Sequence, residues 1–390
     1  MARVNAWRGL AVGSIAFVAC GRAAPPAPAG PDDGCVVLSA RGDAAPITLG
    51  LVGAVDPAHA PIPSNDAERL LFRQLYEPLV TRDCAGRIHP ALAASWRTVD
   101  GGRRWLLTLR ADARFWDGRR VRAEDVIAAW GRNDPPGAAL SATDDSTVSV
   151  TFAEPLDQPW PLTDPAYGIA VPAGDGGWPF GTTPPGRVRH VASDDARDLL
   201  DGGADVVVTR EPAVATYARG LGRYDEFPLA WDRTYVLLNG DALLPEGRDL
   251  AAGFVAAVAG FVRQPQSPFW WRTLEGCGYL SPHEWRAPTA VAYPPGDAVA
   301  RDLAARVVAV SVRPGVRTAP AARALGAVVR AVPRTPFRPC DLARELGLTR
   351  GAPTIRALVD TRATLLVRRT VTPAVVVDWD GVPRLAGGAR

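Results

Sequence analysis

Between Asn65 and Trp130 the apolar pattern runs at a helical period, then alternates strictly, then returns to a helical period, and that succession constrains the fold more than any other feature. Leu70, Leu71, Leu75 and Leu79 recur near a helical period behind Ser64 and Asn65, either of which can accept the free amide hydrogens of a helix start. Pro78 ends that helix. Trp105, Leu107 and Leu109 alternate with Leu106, Thr108 and Arg110, which predicts a strand with one buried face, and Asp117-Gly118 supplies the tight turn after it. Val126, Ile127 and Trp130 predict a second helix, whose first turn carries Glu124 and Asp125 where negative charge suits the helix dipole. These residues read as scaffold: they specify a lobe without locating a site.

The same stretch holds an ordered set of short motifs. They are Tyr76 to Leu79 (Tyr-Glu-Pro-Leu), Asp83 with Gly86, Pro90 to Ala93, Ser95-Trp96, Gly101-Gly102, Leu109-Arg110, Phe115 with Asp117-Gly118, and Ala123 to Val126. In this order they resemble the family 5 extracellular solute-binding proteins, the receptors that feed ABC importers with oligopeptides, dipeptides, nickel chelates and related solutes. Outside the stretch, Asp56-Pro57, Pro179 to Thr182, Gly203 to Val206 and Tyr235 to Asn239 extend the resemblance, although Thr183 and Pro184-Pro185-Gly186 depart from the usual crossover ending. Coverage is good from about residue 46 to 262 and thin from 289 to 312; the Trp-x-x-Asp-Tyr-x-Asp-Pro-like segment of many members is missing, and Asp378, Trp379 and Asp380 lie too near the C-terminus to replace it. The resemblance implies an α/β, periplasmic-binding-protein-like multi-lobe fold with mixed sheets and a hinged interlobe cleft. By it, residues 36–62, 166–245 and 366–390 form lobe I, 63–165 form lobe II and 246–365 a reduced lobe III.

The residues themselves predict a strand over Ile47 to Val52 and helices over Asp194 to Asp201, Arg248 to Val262 and Val299 to Val310. Residues 1–20 join Arg3 and Arg8 to an apolar run from Leu10 to Ala19, a secretory signal too short to span a membrane. Phe17-Val18-Ala19-Cys20 resembles the bacterial lipobox, with Phe17 where leucine is usual, so Cys20 is the expected lipidation site. The rival is ordinary cleavage near the alanines after Cys20, which gives a free periplasmic protein. The Pro/Ala/Gly stretch 21–34 favours the anchor, because it is a tether suited to holding a body off a membrane. The other cysteines, Cys35, Cys84, Cys277 and Cys340, are even in number in an exported chain and predict two disulfides. Three pairings are possible; Cys35 with Cys84 and Cys277 with Cys340 keeps each bridge within one half of the molecule.

Composition removes several functions. All 44 basic residues are arginine, so Schiff-base chemistry, a phosphate-loop lysine and a Ser-Lys dyad are excluded. A net charge of +3 does not argue for nucleic acid. The mature sequence has no HExxH pair, GxSxG elbow or glycine-rich phosphate loop, and its cysteines and four histidines lack metal-ligand spacing. The expectation is a non-enzyme with no cofactor and no metal.

A receptor cleft is lined by aromatic side chains and a few orienting polar groups. The candidates are Asn65, Trp178, Phe180, Trp231, Arg233, Tyr235, Trp270 and Trp271, with Arg233 suited to a carboxylate. Taken singly, each tryptophan has a plainer use as core packing. Phe269-Trp270-Trp271 differs, because three adjacent large rings cannot all face one core. The reading is a monomeric, lipid-anchored extracytoplasmic receptor that passes a peptide or small organic solute to ABC permease subunits. Its alternative is a receptor-derived surface or signalling lipoprotein that binds a protein partner.

Overall fold

The computed structural model describes residues 37–38, 46–83, 86–131, 139–173, 177–182, 188–238, 240–245, 252–258, 260–266, 289–320, 327–333, 355–370 and 374–386. Strands β1 (Val37–Leu38) and β2 (Ile47–Val52) come first, and a loop carries the chain to α1 (Asp66–Leu75). Asn65 is the cap that starts α1, its Oδ1 accepting from the Glu68 amide at 2.9 Å. The helix stops three residues before Pro78. Leu79, expected on the helix stripe, therefore lies beyond it and is fully buried in a different core, with Trp105 and Leu107.

After α1 the chain builds a small antiparallel region. β3 (Val80–Arg82) pairs with β4 (Ile88–Pro90), while β5 (Ala93–Val99), β6 (Arg104–Leu109), β7 (Ala139–Asp144) and β8 (Thr147–Thr151) form a sheet in the order β5-β6-β8-β7. Trp105, Leu107 and Leu109 bury one face of β6, as their alternation requires. The Asp117-Gly118 turn closes with Gly118 at φ +83°, a left-handed conformation that glycine adopts without strain. α2 (Ala123–Trp130) then covers the sheet. Its buried positions are Ala123, Val126, Ala129 and Trp130, and Ile127 is only half-buried.

The second half weaves a larger sheet: β9 (Val188–Ser193), α3 (Ala196–Asp201), β10 (Val206–Thr209), α4 (Pro212–Leu221) and the long β11 (Tyr224–Leu238). Asp195 caps α3, one residue into the segment expected to be helical. Then come α5 (Ala252–Ala257), β12 (Val262–Arg263), β13 (Ala290–Tyr293), α6 (Ala298–Ala309), β14 (Arg317–Pro320), β15 (Ala327–Pro333), β16 (Ile355–Arg368), β17 (Ala374–Val377) and β18 (Pro383–Ala386). The expected helix over Arg248 to Val262 is shorter among the described residues, and Val262 belongs to a strand. The main sheet has the order β14-β13-β15-β11-β16-β10-β2-β9, with β12 on β16, and mixes parallel and antiparallel pairs.

β11 and β16 form a long antiparallel ribbon from Tyr224 opposite Arg368 to Leu238 opposite Ile355. At one end Leu229 and Leu365 join a core with α1; at the other Tyr235, Leu237 and Val359 join a core with α6. A third core packs β5, β6, β8 and α2. Between the two ribbon ends the register slips at Pro228/Trp231 and Trp231/Arg233. Such irregularities bend a strand and re-aim its side chains. They fall where a cleft lined by Asp232 and Arg233 opens.

Candidate functional site

The cleft begins at the start of α1. Glu68 is buried, yet its carboxylate accepts four hydrogen bonds: from the Asp56 amide at 2.9 Å, His59 Nδ1 at 2.8 Å, the Ser64 amide at 2.7 Å and Ser64 Oγ at 2.7 Å. Burial alone would raise its pKa, but these donors outweigh it and hold the group down at about 2. His59 is moved the other way, its hydrogen bond to Glu68 favouring the protonated ring over a smaller desolvation effect. Asn65 adds a second tie, Nδ2 donating to the Ala54 carbonyl at 3.1 Å. The loop before α1 is thereby fixed on the helix end.

Asp66, Arg69 and Arg73 are spaced three and four apart and so share one face of α1. That face carries a continuous chain of ion pairs. Arg73 binds Asp378 and Asp380, the latter at 2.6 Å; Arg69 reaches Asp380 at 3.1 Å and Asp232 at 3.8 Å. Arg210, just after β10, grips Asp232 with two bonds of 2.9 and 2.6 Å, and its Nε reaches Asp66 at 3.2 Å. Arg233 also binds Asp66 and lies 3.6 Å from Asp232. Half of the Asp66 side chain meets solvent at the cleft mouth; the protein around the rest would raise its pKa, but Arg233, Arg210 and Arg69 outweigh that and keep the carboxylate ionised below the usual range. Asp232 and Arg233 are neighbours on β11, which regular alternation would send to opposite faces. The slipped register at Trp231/Arg233 lets both line the cleft.

These side chains surround an open cleft of about 580 Å³. Gly53, at φ +104°, turns the chain away at the end of β2 and leaves one wall as bare backbone. On another wall Tyr235 is buried, and its hydroxyl donates to the Asp297 carboxylate, 3.1 Å from each oxygen. Asp297 is itself the cap of α6, accepting from the Ala300 amide at 2.9 Å. Burial and the Asp297 carboxylate both push the Tyr235 hydroxyl well above its ordinary pKa, so it stays a donor. The wall thus offers three guanidiniums, four carboxylates (Asp66, Glu211, Asp232 and Asp297) and a tyrosine hydroxyl. Charges of both signs in a concave, accessible space are a means of recognising a polar solute.

Of the residues expected at a site, Asn65, Arg233 and Tyr235 line this cleft. Trp178, Phe180 and Trp231 are half-buried and stand outside its lining. Trp178 packs edge-on against Phe72 and His190, each ring 6.1 Å away, and Phe180 packs edge-on against Trp116 at 6.4 Å. Trp231 is flanked by the guanidiniums of Arg263 and Arg362, each 4.5 Å from its ring centre. Trp270 and Trp271 lie outside the described residues, as do Cys20, Cys35, Cys84, Cys277 and Cys340. Sequence reasoning passed over Asp66, Arg69, Arg210, Asp232 and Asp297. The helical spacing of Asp66, Arg69 and Arg73 was a readable sign of a charged face, and Asp297 had the look of a helix cap. Nothing local marks Arg210.

Residues 87–187 match the family model described as bacterial extracellular solute-binding proteins, family 5 Middle. The chain is 28% identical over 149 residues to the "Probable deoxycholate-binding periplasmic protein YgiS" of Escherichia coli (strain K12), a stretch covering 31% of this chain and 27% of that protein. It is 38% identical over 84 residues to the "Periplasmic oligopeptide-binding protein OppA" of Haemophilus influenzae, covering 21% of this chain and 16% of that one. The aligned stretches thus span under a third of these relatives' length. Among solved structures, the binding protein AgaA of A. tumefacien R10, in complex with agropinic acid, superposes with a TM-score of 0.62 at 13% identity, over 88% of this chain and 99% of that one. NikZ of Campylobacter jejuni, in complex with Ni(L-His), superposes with a TM-score of 0.59 at 12% identity, over 86% and 97%. The fold is that of the periplasmic binding proteins, as the motifs implied.

Proposed function

We propose that the chain is a family 5 extracellular solute-binding protein and acts as a lipid-anchored receptor of an ABC importer. A peptide or other small organic solute enters the charged cleft and is delivered to permease subunits without chemistry. The observation that carries this reading is the cleft itself: about 580 Å³, within the range of small-molecule sites, with ionised groups from α1, β11 and the α6 cap meeting in one accessible space. Relatives whose names mention deoxycholate, oligopeptides, agropinic acid or Ni(L-His) support a small solute.

The lobe division 36–62, 166–245 and 366–390, then 63–165, then 246–365 draws support from the separate cores only in outline: α1, inside the 63–165 span, packs in the core of β2, β10 and β16, and Tyr235 and Leu237, inside the 166–245 span, pack with α6. Each core keeps its own packing while the irregular β11–β16 ribbon bends between two of them, a route to hinge closure. Closure on the solute gives the permease a distinct state to read. Among the described residues no helix is long and apolar enough to cross a membrane, and Cys20 supplies the attachment. Cys20→Ser then releases the protein from membranes; a variant that stays bound as well as the wild type removes the anchor.

A thermal-shift screen of the full chain in detergent, against peptides, amino acids, sugars and metal chelates, tests the receptor. A solute at a hundred times its dissociation constant adds about 2.7 kcal/mol to stability, a readily measured shift. Silence from a folded protein across the panel refutes the receptor and favours the surface lipoprotein that engages a protein partner.

A further inference from the structure

We propose that Asp66 is a built-in counter-ion which the carboxylate of an organic solute displaces from Arg233 and Arg210, so that this guanidinium pair is the recognition point of the cleft. The inference rests on the receptor reading and names the chemical class of its solute. Two aspartates compete for the same cations, and they differ in how firmly they are held. Asp232 is 6% exposed and joined to Arg210 by two short bonds. Asp66 is 49% exposed, reaches Arg210 through Nε alone at 3.2 Å, and meets Arg233 through one nitrogen. An exchange therefore removes Asp66 and leaves Asp232 in place.

Displaced Asp66 is not stranded. It sits in the first turn of α1, where the helix dipole favours a negative charge, and its side chain already faces the open cleft. The incoming carboxylate takes over the same role with the same single charge, and the planar guanidinium of Arg233 suits its two oxygens. A neutral solute has nothing to offer the arginines in exchange. Glu211 and Asp297 line the same cleft, so further negative charge on the solute is opposed. The class that fits is a small organic solute with one carboxylate.

The test is calorimetric titration of the full chain in detergent, wild type and Asp66→Asn, with matched pairs of acids and their primary amides: N-acetylalanine, pyroglutamate and Ala-Ala. Asp66 is exposed, so the variant keeps its fold. At least one acid is expected to bind, with its amide at least about tenfold weaker. Removing the internal competitor is expected to tighten the acid about tenfold, since affinity scales with the fraction of sites already open, and to leave the amide unchanged. Arg233→Gln is expected to abolish binding of the acid. If the wild type binds a solute but its amide binds equally well, or Asp66→Asn binds the acid no more tightly, displacement is wrong and the receptor reading stands. If no acid or amide binds either protein while both are folded, this inference falls, and the broader solute screen above decides whether the receptor reading falls with it.

Discussion

Arg73 and Arg233 each hold aspartates in one continuous chain of ion pairs, but the two ends of that chain live in different surroundings. Arg73 is 5% exposed, wedged between α1 and the turn joining β17 to β18, with Asp378 and Asp380 at 1% and 4%. Arg233 is 19% exposed and its partner Asp66 is half in the open. Breaking a buried pair leaves an uncompensated charge in low dielectric, whereas an exposed partner is replaced by water. The comparison teaches that the same residue types form a buried anchor at one end and a solvent-exposed contact at the other.

The largest effect is expected at the anchor. Arg73→Met should lower stability by about 3–5 kcal/mol in a denaturant titration, as removal of one partner from a buried pair does. A loss below about 1 kcal/mol would erase the contrast between the two ends. Next comes Glu68→Gln, which presents an amide to four donors and should cost about 1–3 kcal/mol. The pH dependence follows from sign. Glu68 has its pKa lowered from 4.5 to about 2, so its contribution is present above pH 4.5 and is lost as pH falls toward 2. Wild type should lose melting temperature across that window more steeply than Glu68→Gln.

Asp66→Asn should change stability by no more than about 1 kcal/mol, in keeping with an exposed pair. A loss as large as that of Arg73→Met would mean that Asp66 is part of the anchor and cannot be given up to a solute. The smallest effect belongs to His59, whose pKa is raised from 6.5 by Glu68. Its contribution is full below pH 6.5 and disappears as pH rises through the folded value, so the wild-type melting temperature should drift down across that range and His59→Gln should flatten the drift.

The region from Asn65 to Trp130 was largely legible because its information is local. Helical spacing placed α1 and α2, alternation placed β6, and Asp117-Gly118 placed the turn. Leu79 misled because its spacing fitted the helix while Pro78 had already ended it. The long β16 and the reach of β11 back to Tyr224 are not legible in the sequence: both carry Asp, Thr and Arg among their apolar residues, and those polar groups are accommodated by partners distant in sequence. The aromatic residues suit a cleft by type, yet Trp178 packs against Phe72 and His190 and Phe180 against Trp116, and the charged wall joins the α1 face to Arg210, Asp232 and Asp297, which share no local pattern with it.

By itself the sequence determined the order of elements around α1 and its caps and turns, because periodicity, proline, glycine and capping side chains act within a few residues of one another, while the fold class was implied by the motif resemblance. Tertiary structure alone decided where the cleft lies and which charges face it. Asp66 meets Arg210 across 144 positions and Arg233 across 167, while Arg69 meets Asp380 across 311. Contacts of that range depend on how separately stable elements dock, and a slipped register in β11 turns two adjacent side chains into one cleft.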